Sequence, residues 1–174
     1  MNHPPMSAYK KDTTYVSVTG VEGTPEEPPP EEPPPPVEIP AAYVVVTRPT
    51  AQPISNANQT DINFTSSAVI EAHTSDGMFS TALPSRITIK RSGMYIATAN
   101  VMFANNANGY RMLRIRVGTK EIARLSIPGR AASTMLSASG VFYAAYGAIV
   151  TFSVEQTSGA ALDMTEARAG VVLL

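Results

Sequence analysis

Residues 41–174 predict an all-β fold, a jelly-roll β-sandwich, and three observations carry that expectation. Short β-rich runs recur along this stretch, clusters of Gly, Asn, Pro and Asp separate them, and no segment sustains a helical period. Ten such runs in about 134 residues describe a sandwich or barrel, for which a jelly roll is the expected solution at this size.

Taken in order, the predicted strands are Tyr43 to Thr47, Thr60 to Phe64, Ala68 to Ala72, Arg86 to Ile89, Met94 to Phe103, Tyr110 to Val117, Glu121 to Leu125, Met135 to Tyr143, Ala148 to Gln156 and Gly170 to Leu174. Turns are expected at Ser75-Asp76-Gly77, Arg91-Ser92-Gly93, Asn105 to Gly109, Ile127-Pro128-Gly129, Tyr146-Gly147 and Thr157-Ser158-Gly159. The stretches Ala104 to Gly109 and Ile127 to Ser133 then become exposed loops suited to variable contacts.

Strand faces sharpen this picture. In Tyr110 to Val117, Leu113, Ile115 and Val117 alternate with Arg114 and Arg116, so one face meets a core and the other meets solvent or a polar partner. In Met94 to Phe103, one face holds Tyr95, Ala97, Ala99, Val101 and Phe103, while the other still offers Met94, Ile96 and Met102. With Val141, Phe142, Tyr143 and Tyr146 added, the apolar surface exceeds the need of one small sandwich. Contact between subunits would use it, and Tyr95, Met94, Ile96, Met102, Phe142, Tyr143 and Tyr146 are the expected interface residues.

Ahead of the domain the chain changes character. Residues 25–40, PEEPPPEEPPPPVEIP, hold nine of the fifteen prolines and no glycine, which excludes helix and sheet ladders and favours polyproline II. At about 3.1 Å per residue this spacer would reach roughly 50 Å. Residues 1–24 contain a partly alternating stretch from Tyr9 to Val21 that reads as one short strand. A lone strand is not stable in water, so these residues are expected to anchor on a partner's sheet edge or groove through Tyr9, Tyr15, Val16 and Val18; a disordered terminus is the competing reading.

Composition excludes several classes of function. The absence of cysteine removes disulfides, thiolate metal sites and cysteine nucleophiles. No run is long enough to cross a bilayer as a helix, and residues 1–11 lack the apolar stretch of a secretory signal, so a soluble chain made in the cytoplasm, without membrane insertion, is expected. Residues 1–40 carry seven acids against two lysines, and residues 41–174 eleven Lys or Arg against seven acids. That separation could draw the arm of one copy to another's basic surface, although independent solvation of two polar surfaces is the plainer reading.

With these runs laid out, a resemblance becomes visible. Met78-Phe79, Leu83-Pro84, Ile87-Thr88-Ile89 and the G-x-Y of Gly93-Met94-Tyr95, continuing as an alternating strand to Phe103, resemble the C1q/TNF-like jelly roll in order and spacing. The likeness runs on through Asn108-Gly109-Tyr110 to Val117, the strand Val150 to Gln156 after the Gly147 turn, and the terminal Gly170 to Leu174, covering most of residues 60–174. It is similar in particular to the C1q-like domains of bacteriophage virion proteins, where a trimeric head follows an anchoring N-terminal segment. The resemblance implies a homotrimer. No collagen repeat precedes the domain and no calcium site of some relatives is matched.

Candidate chemistry is sparse. His73 is the domain's only histidine, and no G-x-S-x-G elbow accompanies it. Glu71, His73 and Asp76 lack the spacing of a metal motif, and Asp163 and Glu166 are expected in a loop where solvated carboxylates are ordinary. No catalytic residue, metal or cofactor is therefore expected. Arg111, Arg114, Arg116, Lys120, Arg124 and Arg130 form the strongest basic cluster and the candidate contact for a partner or ligand such as a phosphate, an acidic glycan or an acidic neighbour; a solvated strand face or salt bridges between subunits is the plainer reading, and the near-neutral total charge argues against nucleic acid. The functional expectation is a virion structural protein acting as head decoration or head fibre, bound to capsid or tail proteins through residues 1–40. The alternatives are a tail or baseplate component binding host glycan, and a non-viral C1q-like carbohydrate- or receptor-binding module.

Overall fold

Alternation within each strand decides which side chains are buried, and strand pairing gathers those side chains between two sheets. The computed structural model describes residues 42–64, 73–74 and 77–174. Among them run β1 (Tyr43–Arg48), β2 (Gln52–Ile54), β3 (Thr60–Asp61), β4 (His73–Thr74), β5 (Arg86–Thr88), β6 (Gly93–Phe103), β7 (Asn106–Val117), β8 (Lys120–Arg130), β9 (Thr134–Ala144), β10 (Ile149–Gln156) and β11 (Leu162–Leu173). All pairings between these strands are antiparallel. The first sheet has the order β4-β1-β11-β6-β9, with β2 also on β11, and the second β3-β10-β7-β8, with β5 also on β10. From β6 onward the chain crosses between the sheets, β7, β8 and β10 in the second and β6, β9 and β11 in the first, which is a jelly-roll path.

Most inward positions of both sheets are apolar and closed to solvent, with Arg111, Thr134 and Gln156 as buried polar exceptions. Val44 and Val46 of β1, Tyr95 to Phe103 at every second position of β6, and Ala167, Ala169 and Val171 of β11 face Leu113 and Ile115 of β7 and Val150, Phe152 and Val154 of β10. Burying a side chain the size of Val, Leu or Phe contributes about 1.5–3 kcal/mol, so this layer dominates stability. Aromatic pairs fix its two ends: Tyr95 stacks on Phe142 at 5.9 Å, and Phe64 meets Phe152 edge-on at 6.0 Å. The Tyr95 hydroxyl donates to the Arg91 carbonyl at 2.8 Å, satisfying its buried polar tip. Tyr95 and Phe142 are thus core residues, which corrects their expected place in a subunit interface. Tyr95 shares its period-two phase with Ala97 and Val101, and that phase faces inward.

Several boundaries also differ from the sequence expectation. Asn105 to Gly109 and Ile127-Pro128-Gly129 do not form two loops: β7 begins at Asn106, β8 runs on to Arg130, and Asn106 pairs with Arg130 and Tyr110 with Pro128. Pro128 is tolerated because β8 is the edge of its sheet, where a missing N–H can face away from the ladder. β11 begins at Leu162 rather than Gly170, so Asp163 and Glu166 stand on a strand, not in a loop. β2 was absent from the expected strands; three residues are too few to show a period. Residues 1–41, with the anchor, the spacer and Tyr9, Tyr15, Val16 and Val18, lie outside the described residues, as do the expected strand Ala68 to Ala72, Glu71 and Asp76.

Candidate functional site

Cross-strand register sets out the exposed face of the first sheet row by row. Tyr43 of β1 stands opposite Val172 of β11, which stands opposite Ile96 of β6, which stands opposite Val141 of β9: an apolar band four strands wide. Beyond it, Met94 is paired with Tyr143, and the Leu174 N–H donates to the Met94 carbonyl at 2.9 Å. Exposure on this end is large for apolar side chains, 57% for Val141, 66% for Tyr143 and 69% for the neighbouring Tyr146. The next row is Val45, Gly170, Thr98 and Ser139, followed by Thr47, Arg168, Asn100 and Ser137, and then Glu166, Met102 and Met135. On the strands β1, β11, β6 and β9 the charges of this face are Glu166 and Arg168, with Asp163 past the bulge near the start of β11.

Gly170 puts no side chain at the centre of that face. A Cβ built there would stand in ordinary van der Waals contact, 3.4 Å from Thr98 Oγ1 and 3.7 Å from the Val44 carbonyl. Glycine weakens a strand interior, where it often marks a bulge, a bend or a close approach by another group. Shallow hollows lie on either side of Arg168, one bordered by Asn100, Met102 and Met135, the other by Val45, Thr98 and Val172.

The second sheet is the chemical opposite. Its outer rows are Arg86, Thr151, Arg116 and Glu121, then Asp61, Ser153, Arg114 and Arg124. Arg114 is the hub: its guanidinium lies 2.9 Å from the Glu155 carboxylate and 3.7 Å from that of Glu121, and it donates to the Gln59 side-chain oxygen. Glu121 also meets Arg124 at 3.4 Å. The Tyr110 hydroxyl donates to Glu155, and that hydrogen bond, with burial and the carboxylate charge adding to it, raises the Tyr110 pKa above the usual phenol value while the Arg114 charge opposes the rise.

Arg111 leaves the expected basic cluster altogether. Its residue is fully buried, its guanidinium donates to the carbonyls of Asn106 (2.8 Å), Asn108 (2.9 Å) and Tyr110 (2.9 Å), and it sits 5.9 Å from the centre of the Phe103 ring. Burial lowers its pKa. The signal was available in the sequence, since Arg111 is in phase with the inward residues Leu113 and Ile115. Gly129 makes the arrangement possible: a Cβ there would fall 2.6 Å from the Asn106 carbonyl and 3.1 Å from the Arg111 guanidinium. Arg114, Arg116, Lys120, Arg124 and Arg130 remain on the second sheet and its edge. His73 lies in β4 opposite Val45, and among the described residues no three His, Asp or Glu side chains cluster as metal ligands.

This architecture has counterparts among solved structures. It is similar to the globular domain of zebrafish complement 1qA protein (TM-score 0.54, 14% identity, 76% of this chain and 96% of that one), murine APRIL at pH 5.0 (0.54, 16%, 76% and 99%) and murine APRIL at pH 8.0 (0.55, 14%, 77% and 99%). The domain therefore has a C1q/TNF-like jelly-roll fold. No family model matches the sequence, and no curated protein does.

Proposed function

We propose that this protein is a non-enzymatic binding module that works as a homotrimer, with the outer face of the first sheet buried between copies and the second sheet turned outward. The observation that carries the reading is the contrast between the faces. A contiguous apolar band of Tyr43, Val172, Ile96 and Val141, extended by Met94, Tyr143 and Leu174, is poorly suited to water, whereas the Arg114 network is suited to it. Met94, Ile96, Met102, Tyr143 and Tyr146 retain their proposed interface role. Arg114, Arg116, Lys120, Arg124 and Arg130 are the proposed contact for an anionic carbohydrate or an acidic receptor surface. Likeness to complement and APRIL domains supports a binding module outside any virion at least as well as a virion protein. Sedimentation of the full chain at micromolar concentration tests the assembly: a mass of three chains is expected, and a monodisperse monomer would refute it.

A virion setting is a second proposal, resting on the acidic proline-rich arm that precedes the domain. Residues 1–24 would anchor to the particle and residues 25–40 would project the trimer as a head fibre or a tail component. Gold labelling of particles from the producing strain with an antibody to residues 42–174 decides it: label on particles supports the setting, and particles without label contradict it.

A further inference from the structure

We infer that Glu166 of one copy pairs with Arg168 of the next, closing a ring of ion pairs that fixes how the three copies meet. This rests on the proposed burial of the first sheet's outer face.

Both residues lie in the middle of that face on β11, two positions apart and on the same side of the strand. Both are exposed, and among the described residues neither has an ion-pair partner. Their surroundings are uncharged: Asn100, Met102 and Met135 border Glu166 and Arg168 on one side, and Thr98, Gly170 and Val172 border Arg168 on the other. In a monomer this is an ordinary solvated acid and base. Under a second copy it is not, because a desolvated charge without a counter-charge is strongly unfavourable.

One copy supplies both signs at the same place, so contact between copies can satisfy both without any other residue. In a cyclic trimer each copy presents one surface to its predecessor and another to its successor. Residues only two positions apart on one strand can meet their counterparts in the next copy only where that strand runs close to the symmetry axis. β11 therefore lies at the axis, with Glu166 of each copy facing Arg168 of its neighbour. The hollows flanking Arg168 leave room for an approaching side chain, and the missing side chain at Gly170 widens one of them. The apolar band supplies contact area without direction; the ion pairs supply register.

Charge exchange in the full chain tests this by sedimentation across a dilution series, with circular dichroism confirming that each variant is folded. E166R and R168E should each weaken assembly by about a hundredfold, because each leaves two like charges facing across the contact. The double variant E166R/R168E restores opposite charges and should return to within about tenfold of the wild type. Single variants that assemble like the wild type, or a double variant no better than the worse single, would overturn the pair while leaving the trimer standing. A monomeric wild type would overturn both.

Discussion

Between its buried positions, β6 turns Met94, Ile96, Thr98, Asn100 and Met102 outward, whereas β7 turns out Tyr110, Met112, Arg114 and Arg116. Both strands are buried on one side by the same core, and both are central in their sheets. What separates them is the environment the other side is built for. On β7 the outward Arg114 is already matched by Glu155 and Glu121, so most of that face's charge network closes within one chain, although Arg116 Nε and Ser153 Oγ there have no hydrogen-bond partner among the described residues. On β6, β9 and β11, Met94, Val141, Tyr143 and Val172 stand exposed, and among the described residues no ion pair neutralises Glu166 or Arg168. That contrast between the two faces is what the proposed homotrimer uses.

The largest way to break this contrast is to make the apolar face resemble the charged one. Val141→Arg puts a cation at the end of the apolar band and should cost about 4 kcal/mol of assembly, enough to yield monomers at micromolar concentration. The monomeric variant should still fold, as Val141 is already exposed, and its melting point should fall only by the stabilisation that assembly lends the wild type at the same concentration. Sedimentation together with circular dichroism reads both quantities.

Next is the arginine that belongs to neither face. Arg111→Ala strips donors from three carbonyls and opens a cavity beside Phe103, and should lower unfolding stability by about 2–3 kcal/mol in a denaturant titration. A surface arginine would show almost none of that loss. Arg114→Ala, on the charged face, should cost less than about 1 kcal/mol, because its partners are partly exposed and screened, and should leave assembly intact.

The smallest effect is a pH dependence confined to the second sheet. Tyr110 has its pKa raised in the folded state, so its hydrogen bond to Glu155 stabilises the fold fully below the unfolded phenol pKa of about 10 and is lost as pH rises through the folded value. Tyr110→Phe should melt lower than the wild type at neutral pH, and the difference should shrink in alkaline buffer. A difference independent of pH would exclude this role.

Much of this arrangement was legible in the residues themselves. The apolar outer positions of β6 announced surplus apolar surface, and the alternation of Leu113, Arg114, Ile115 and Arg116 announced a face for solvent or a polar partner. Less was legible where local chemistry pointed away from the tertiary outcome. Asn108-Gly109 and Pro128-Gly129 carry strong turn signals, yet β7 and β8 run through both; the Asn108-Gly109 signal survives as an irregularity between Asn106 and Tyr110, with Gly109 at φ +68° and the carbonyls of Asn106, Asn108 and Tyr110 gathered by Arg111. Tyr95 and Phe142 read as surface residues in the sequence because aromatic residues suit either place, and only the pairing of β6 with β9 brings the two rings together in the core. The unpaired charges on β11 gave no local signal, since their meaning depends on the neutrality of three neighbouring strands.

Hydroxyl-radical footprinting of the full chain tests most directly which face is covered. Met94, Met135 and Tyr143 stand exposed on the outer face of the first sheet, and Met112 on that of the second gives an internal reference. Relative to monomeric Val141→Arg protein, the wild type should show the three first-sheet residues protected and Met112 oxidised at an unchanged rate. Equal oxidation of Met94, Met135 and Tyr143 in both proteins would contradict the account.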